Sequence, residues 1–566
     1  MTELAANIET EDKTLPLRSK IGLWLGPTLF VLMLVFVDLD PANPAVTRMA
    51  AIILLMAIWW ITEAIPLPVT ALLPIVLFPV MGIMRGREIS AANNIDFSTA
   101  SISNGLTPAD FDIVFPSVAS QYMSWIILLF MGGFIIAIAV EKWNLHKRIA
   151  LHILRIIGGQ PHRLVLGFMV ATGGLSMWLS NTATAMMMLP IGLSLILLYE
   201  ELNRKIVAEG GTVDSKAENF SLNLLLGIAY SASIGGFATL IGTPPNGVLI
   251  TQLGQLFPEA PVISFPTWML FALPMSAVYL VIAWIALTRF IFPLPATTPF
   301  SGQEFIRGEI DKLGAMSIEE KRVAIVFASA AFLWMTRTAN LFGADALVHG
   351  WSYYLDALIA FFGSAPVSTY IDDGTVSIAV ALTLFIIPAS KQLGGRLMDW
   401  DDAKKVPWGI LLIFGGGLAI AKGFGTSGLS TYIAGQLQAV LGDASPLVIV
   451  MSTVGFITAL TEISSNTATI SLSLPIMGSL AQAIEAHPLL LMIPTTLAAS
   501  CAFMLPVSTP PNAIVYGSGR VPIMKMVVAG IWLDLLSVLL LTIFVYTLGD
   551  LTFGVLGELP AWAGGN

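Results

Sequence analysis

Two short polar stretches carry the side chains best suited to chemistry. Residues 180–190 read SNTATAMMMLP and residues 465–475 read SNTATISLSLP. Ser180, Asn181, Thr182, Ala183, Thr184 and Pro190 recur as Ser465, Asn466, Thr467, Ala468, Thr469 and Pro475, without a gap, at an offset of 285. GTPPN at 242–246 recurs as STPPN at 508–512. Upstream, WIILLFMGG from Trp125 recurs as WGILLIFGG from Trp408. Three matches in one order mean an internal duplication. Asn offers an amide oxygen and an NH2, while Ser and Thr offer hydroxyls that donate and accept. A tip between two half-helices adds free N–H groups at a positive dipole end and free carbonyls at a negative one. Such a tip can hold a carboxylate and a hard cation side by side.

Absences narrow the chemistry. Residues 176–190, 239–250, 461–475 and 505–515 contain no Lys, Arg or His, and their one acid is Glu462. An anion there lacks a fixed cationic side chain, and bound cations could balance it. Two related half-sites suit a substrate with two anionic ends. Together these features imply a carrier that couples a dianion to Na⁺. The two prolines of each TPPN withhold backbone N–H groups. They predict spans that unwind at mid-membrane, exposing carbonyls beside Thr243, Asn246, Thr509 and Asn512.

The elements that position these motifs are apolar. The 566 residues are 56% hydrophobic and 11% charged, with mean hydropathy +0.82. Soluble domains carry about a quarter charged residues, so a polytopic membrane protein follows. Apolar runs at 21–37, 46–62, 64–83, 122–140, 222–250, 266–293, 322–336, 375–389, 406–421, 489–516 and 526–548 predict about eleven transmembrane helices. Two further runs, 162–199 and 445–483, hold the SNT motifs and are broken by small polar residues. They predict re-entrant hairpins, because irregular backbone at membrane depth must line a cavity or be buried in protein.

With a cytoplasmic N-terminus, Arg48, Arg85, Arg87, Arg337 and Lys422 fall outside. The remaining Lys and Arg fall inside, as the positive-inside rule requires. An odd number of spans then sets the halves in opposite orientation, the inverted-repeat plan of secondary transporters. The expected organisation is a cytoplasmic tail at 1–20, a first repeat at 21–293, a cytoplasmic linker at 294–321, a second repeat at 322–550 and a C-terminal tail at 551–566. The broken helices lie at 222–250 and 489–516, and the last span at 526–548. Residues 84–121, with Asp96, Asp110 and Asp112, and residues 337–374 are expected outside, with an interfacial helix at WSYYLDALIAFF. The stretch from Glu141 to Arg148 begins a helix at the membrane surface. No signal peptide is expected in the polar first 20 residues.

These residues resemble the divalent anion/sodium symporters, which carry dicarboxylates, citrate or sulfate. The resemblance covers most of the chain. It includes WWITEAIPLPVT at 59–70, GGFIIAIAVEKWNLHKRIAL at 132–151, both SNT motifs and both TPPN motifs. It implies an all-α inverted-repeat protein with a scaffold domain that dimerises and a transport domain that moves as an elevator. It implies substrate binding by Ser180, Asn181, Thr182, Thr243, Ser465, Asn466, Thr467 and Thr509. One sodium would use Ser176, Asn181 and carbonyls near Gly242, the other Thr461, Asn466 and carbonyls near Ser508. The expected function is sodium-coupled import of C4-dicarboxylates such as succinate, malate or fumarate. A citrate or sulfate carrier and a sodium-independent exchanger are the alternatives. The partners are then the dianion, Na⁺ as coupling ion, the bilayer and a second subunit, with no cofactor and no nucleic acid. The one sequon, Asn219-Phe-Ser221, falls inside, which fits a bacterial inner membrane.

Other groups take blander roles. Glu462 either tunes the adjacent cation site or reaches the outer surface. Glu63 caps or pairs at the inner interface. Asp534 lies inside the last span and faces protein or water. Gly423-Phe-Gly-Thr-Ser-Gly428 fits GxGxxG but follows an apolar helix, without the βαβ setting of a nucleotide loop. Cys501 is a packing residue. The five His avoid the doubled motifs, and no acid, base, nucleophile or metal set marks an enzyme.

Overall fold

Apolar sequence with small residues and prolines at intervals builds a molecule of helices and short breaks. The computed structural model describes residues 16–84, 117–212, 214, 216–295, 302–337, 349–361, 368–390, 394–441 and 444–564. The expectations for most of the tail at 1–20 and of the loop at 84–121, including Asp96, Asp110 and Asp112, lie outside the described residues. So does part of the 337–374 segment. No strand occurs among the described residues; two isolated bridges are the only β pairing.

The first half opens with α1 (Leu17–Phe36) and α2 (Pro44–Thr62), packed on each other. The run 64–83, expected as a span, is instead two short helices, α3 (Leu67–Thr70) and α4 (Leu73–Val80). Pro66, Pro68, Pro74 and Pro79 crowd that run, and proline interrupts helical hydrogen bonding. The Tyr122 hydroxyl donates to the carbonyl of Ala71, between the two pieces. Next come α5 (Trp125–Lys142) and a separate amphipathic α6 (Leu145–Ile157), with Asn144 in the left-handed region at the corner. The first hairpin is α7 (Pro161–Ser176) and α8 (Asn181–Ala208). The first broken helix is α9 (Ala217–Gly236) and α10 (Pro244–Leu256). A long α11 (Phe265–Ile285) ends in one π-helical stretch, Ala286–Ile291.

The linker expected as a loop contains α12 (Gly302–Leu313). Then α13 (Ile318–Met335) starts at a Ser317/Glu320 capping box, which satisfies two of its free N–H groups reciprocally. The expected interfacial helix is α14 (Trp351–Phe361). It is followed by α15 (Asp373–Ile386), short α16 (Trp400–Ala403) and α17 (Trp408–Ser427). The sequence reading missed α18 (Leu429–Leu441), which is 13 residues long like α6 and stands at the matching place in the second half. The second hairpin is α19 (Pro446–Thr461) and α20 (Asn466–Ala483). The second broken helix is α21 (Pro488–Ala498) and α22 (Pro510–Gly517). The chain ends with α23 (Ile523–Phe544), a π-helical Val545–Gly549 and short α24 (Asp550–Phe553). Among the described residues seven helices are long and apolar enough to cross a membrane, and further apolar helices are shorter.

The halves interlock. The hairpin arm α8 packs on α22 of the other half, and its counterpart α20 packs on α10. Gln252 of α10 fixes the second contact, donating to the Ser471 carbonyl at 2.9 Å and the Gly417 carbonyl at 3.1 Å. This exchange brings both hairpin tips to one place. At the ends of the bundle, Arg148 of α6 makes a two-pronged bond to Glu320, and Lys142 pairs with Asp402. The GxGxxG stretch is the end of α17, with Gly428 as its left-handed cap at φ 79°, and not a phosphate loop.

Candidate functional site

Each doubled motif starts a helix. Ser180 is the N-cap of α8, Thr243 of α10, Ser465 of α20 and Thr509 of α22. The Ser180 hydroxyl accepts from the Ala183 N–H at 3.2 Å. In both TPPN motifs the prolines open the helix. Proline suits that position because its missing N–H would be unpaired anyway and its φ is already helical. The unwound backbone lies at 237–243 and 499–509 and ends at Thr243 and Thr509, just before the prolines, so the expected break beside these threonines is present.

All four caps line one cavity of about 330 Å³. Ser180, Asn181, Thr182 and Thr243 come from the first half, and Ser465, Asn466, Thr467 and Thr509 from the second. Gly242, Ser464 and Ser508 join them. Four helix N-termini thus converge on one space, each carrying partial positive charge. No Lys, Arg or His is among the described residues that line it.

Behind the wall sit two matched oxygen clusters. Ser176 Oγ lies 2.6 Å from Asn181 Oδ1 and 2.7 Å from the Ala232 carbonyl oxygen. Thr461 Oγ1 lies 2.8 Å from Asn466 Oδ1 and 2.7 Å from the Ala499 carbonyl oxygen. Ser176 and Thr461 are fully buried and stand behind the cavity lining. A hydroxyl has one hydrogen to offer, so it can donate to only one of its two acceptors at a time. Three oxygens this close, in a buried place, form the donor set that hard cations take. Backbone closes in tightly here. An added Cβ at Gly236 would stand 2.8 Å from Asn181 Oδ1, and one at Gly242 would stand 2.5 Å from the Gly236 carbonyl oxygen.

Asn246 and Asn512 serve the backbone and not the cavity. Both are fully buried and neither lines the cavity. The Asn246 amide donates to the carbonyls of Gly236 (3.1 Å) and Thr239 (2.7 Å). The Asn512 amide donates to those of Ala502 and Leu505, both at 3.1 Å. Each clamps the unwound segment preceding its own half-helix.

Sequence reasoning missed the part of the cavity lining that comes from outside both motifs. It includes Glu63, Leu67, Phe134, Ile410 and Ile413. The signal lay in WWITEAIPLPVT, which contains Glu63 and Leu67. Glu462 is buried and turns inward: its carboxylate accepts from the N–H groups of Met504 (2.9 Å) and Leu505 (3.0 Å). The partner of Asp534 is Glu462. The Asp534 carboxyl lies against the Glu462 carboxyl and the Phe503 backbone.

The sequence matches the family described as sodium:sulfate symporter transmembrane region over residues 24–554. A sodium-dependent dicarboxylate transporter, SdcS of Staphylococcus saprophyticus, is 42% identical over 96% of this chain and 94% of its own length. SdcS of Staphylococcus aureus strain MRSA252 is 41% identical over 94% and 92%. Two solved structures share the fold at 12% identity and TM-score 0.51. MtrF of Neisseria gonorrhoeae, described with a class of antimetabolite efflux pumps, covers 93% of this chain and 98% of its own. The YdaH transporter of Alcanivorax borkumensis covers 87% and 99%.

Proposed function

Because the chain belongs to the sodium:sulfate symporter family, a family of multi-pass membrane transporters and not enzymes, we propose that it is a sodium-coupled importer of C4-dicarboxylates such as succinate, malate and fumarate. One observation carries the reading: four helix N-termini and two buried oxygen clusters surround one cavity with no cationic side chain among the described residues that line it. The relatives named above are sodium-dependent dicarboxylate transporters, which supports the same substrate class.

In this reading one carboxylate docks at Ser180, Asn181, Thr182 and Thr243, the other at Ser465, Asn466, Thr467 and Thr509. One Na⁺ sits at Ser176, Asn181 and backbone near Gly242. The second sits at Thr461, Asn466 and backbone near Ser508. Asn181 and Asn466 each serve both ions, with the amide oxygen toward Na⁺ and the NH2 toward the carboxylate. Sodium binding orders the tips, and the dianion then completes a site whose charges cancel. Without Na⁺ the positive helix ends alone must hold two negative charges, which partial charges in a desolvated place do poorly. Alternating access follows from an elevator movement of the hairpins and broken helices against a dimeric scaffold. The protein works in a bacterial inner membrane with its N-terminus in the cytoplasm.

The test is uptake of labelled succinate by proteoliposomes, comparing an inward Na⁺ gradient with choline, with and without internal succinate. Uptake that needs Na⁺ and no internal substrate supports symport. Uptake that needs internal succinate and ignores Na⁺ overturns it in favour of exchange. Inhibition by sulfate or citrate, with no succinate uptake, reassigns the substrate.

A further inference from the structure

We propose that Glu63 selects the charge of the carried anion and excludes substrates with a third carboxylate. The inference rests on the dianion reading of the cavity. Glu63 is the one charged residue among the described residues lining it, and it stands on the wall outside both motifs. Its neighbours there, Leu67, Phe134, Ile410 and Ile413, are apolar.

The position of Glu63 is built and not incidental. It ends α2 in the left-handed region, at φ 48° and ψ 43°, which a residue with a side chain uncommonly adopts. Its N–H donates to the Trp59 carbonyl. Its carboxylate pairs with Arg18 of α1. The two helices are cross-linked around it: Trp59 Nε1 donates to the Gly22 carbonyl at 3.1 Å, and the Ser19 hydroxyl to the Thr62 carbonyl at 3.0 Å. The carboxylate is therefore held at the cavity edge by a rigid helix pair.

A dicarboxylate satisfies both tips with its two ends. A third carboxylate must lie elsewhere in the same cavity, against its lining outside the motifs. It would meet side chains without donors there, and a like charge. Arg18 offsets part of that charge, but the side chains of the pair are 42% and 46% exposed, so water and salt screen the effect. Two bound Na⁺ also leave a trianion one charge short of balance.

The experiment measures inhibition of sodium-driven succinate uptake by citrate at a pH of about 8, where citrate is fully ionised. The readout is the ratio of the citrate Ki to the succinate KM. Glu63→Gln is expected to lower the ratio about tenfold, the size of a partly screened charge–charge effect over several ångströms. Arg18→Gln leaves Glu63 without its counter-charge and is expected to raise it. A ratio that stays put in Glu63→Gln, or moves the other way, overturns the proposal. If Glu63→Gln fails to reach the membrane, Arg18→Gln decides alone, and an unchanged or lowered ratio overturns it. Absence of sodium-driven succinate uptake in the unaltered protein overturns the dianion reading instead, before any variant is compared.

Discussion

Ser176 and Thr461, 285 residues apart, occupy one and the same place in the two halves. Each hydroxyl ends the first arm of its hairpin and stands 2.6–2.8 Å from the amide oxygen of the following Asn and from a carbonyl of the neighbouring broken helix. The duplication has therefore kept a three-oxygen arrangement, with Ser exchanged for Thr. An arrangement held through that exchange depends on the oxygen and not on the remainder of the side chain.

Removing one oxygen from either cluster should weaken cation binding first. Ser176→Ala and Thr461→Ala are each expected to raise the Na⁺ concentration for half-maximal uptake by about tenfold, the cost of one lost oxygen contact to a charge. A sodium titration of succinate uptake checks this. An unmoved sodium dependence in both variants would detach the clusters from coupling.

Asn181→Ala and Asn466→Ala should be more severe, because each amide faces a cluster and the cavity at once. Uptake is expected to vanish while detergent-extracted protein keeps its elution volume and Tm. Normal uptake by either variant would defeat the site assignment.

The TPPN asparagines should behave in the opposite way. Asn246→Ala or Asn512→Ala leaves buried carbonyls without their donor, which costs roughly 1–3 kcal/mol. A lowered Tm is expected in each. Thr243→Ala lines the cavity without such a clamp and should cut uptake with little change in Tm. Equal Tm for all three variants would contradict the clamp.

Asp534 is a buried carboxyl set against the carboxyl of Glu462. Asp534→Asn supplies an NH2 that Glu462 can accept. Removing one ionisable group from a pair of buried acids is expected to be neutral or stabilising, because two carboxylates cannot both ionise there cheaply, so Tm is expected to hold or rise. A fall of several degrees would mean that the carboxyl itself is needed for folding.

Acid should release one tether of α5. Burial pushes the Asp402 carboxyl up, but bonds from Lys142 and Lys405 outweigh it and hold the group below its ordinary range. Its stabilising effect is then present above about pH 4, the ordinary carboxylate value, and is lost as pH falls through the lower folded value. Thermal melts of the unaltered protein and Asp402→Asn should differ at neutral pH and converge in strong acid. Curves that stay parallel would remove Asp402 from the account.

Much of this was legible because duplication gives an internal comparison. A polar SNT inside an apolar run is ambiguous once, since Ser, Thr and Asn in membranes also bond neighbouring helices. Its repetition beside a second TPPN pointed to residues that do line one cavity. The hairpins and broken helices followed from small polar residues interrupting apolar runs. Less legible were the split of 64–83, where hydropathy outvoted four prolines, and α18, where Ser430, Thr431, Gln436 and Gln438 break up any apolar run.

The sequence by itself determined the membrane class, the two halves and the chemistry offered at each tip, because these depend on local composition and spacing. Tertiary structure decided where that chemistry is used. It made Asn246 and Asn512 clamps on the unwound segments, brought Glu63 from a distant helix end onto the cavity wall, and set Asp534 against Glu462. Each outcome depends on which helices pack across the two halves. Local sequence carries no record of that packing, because α8 meets α22, and α20 meets α10, only after the chain has folded back on itself.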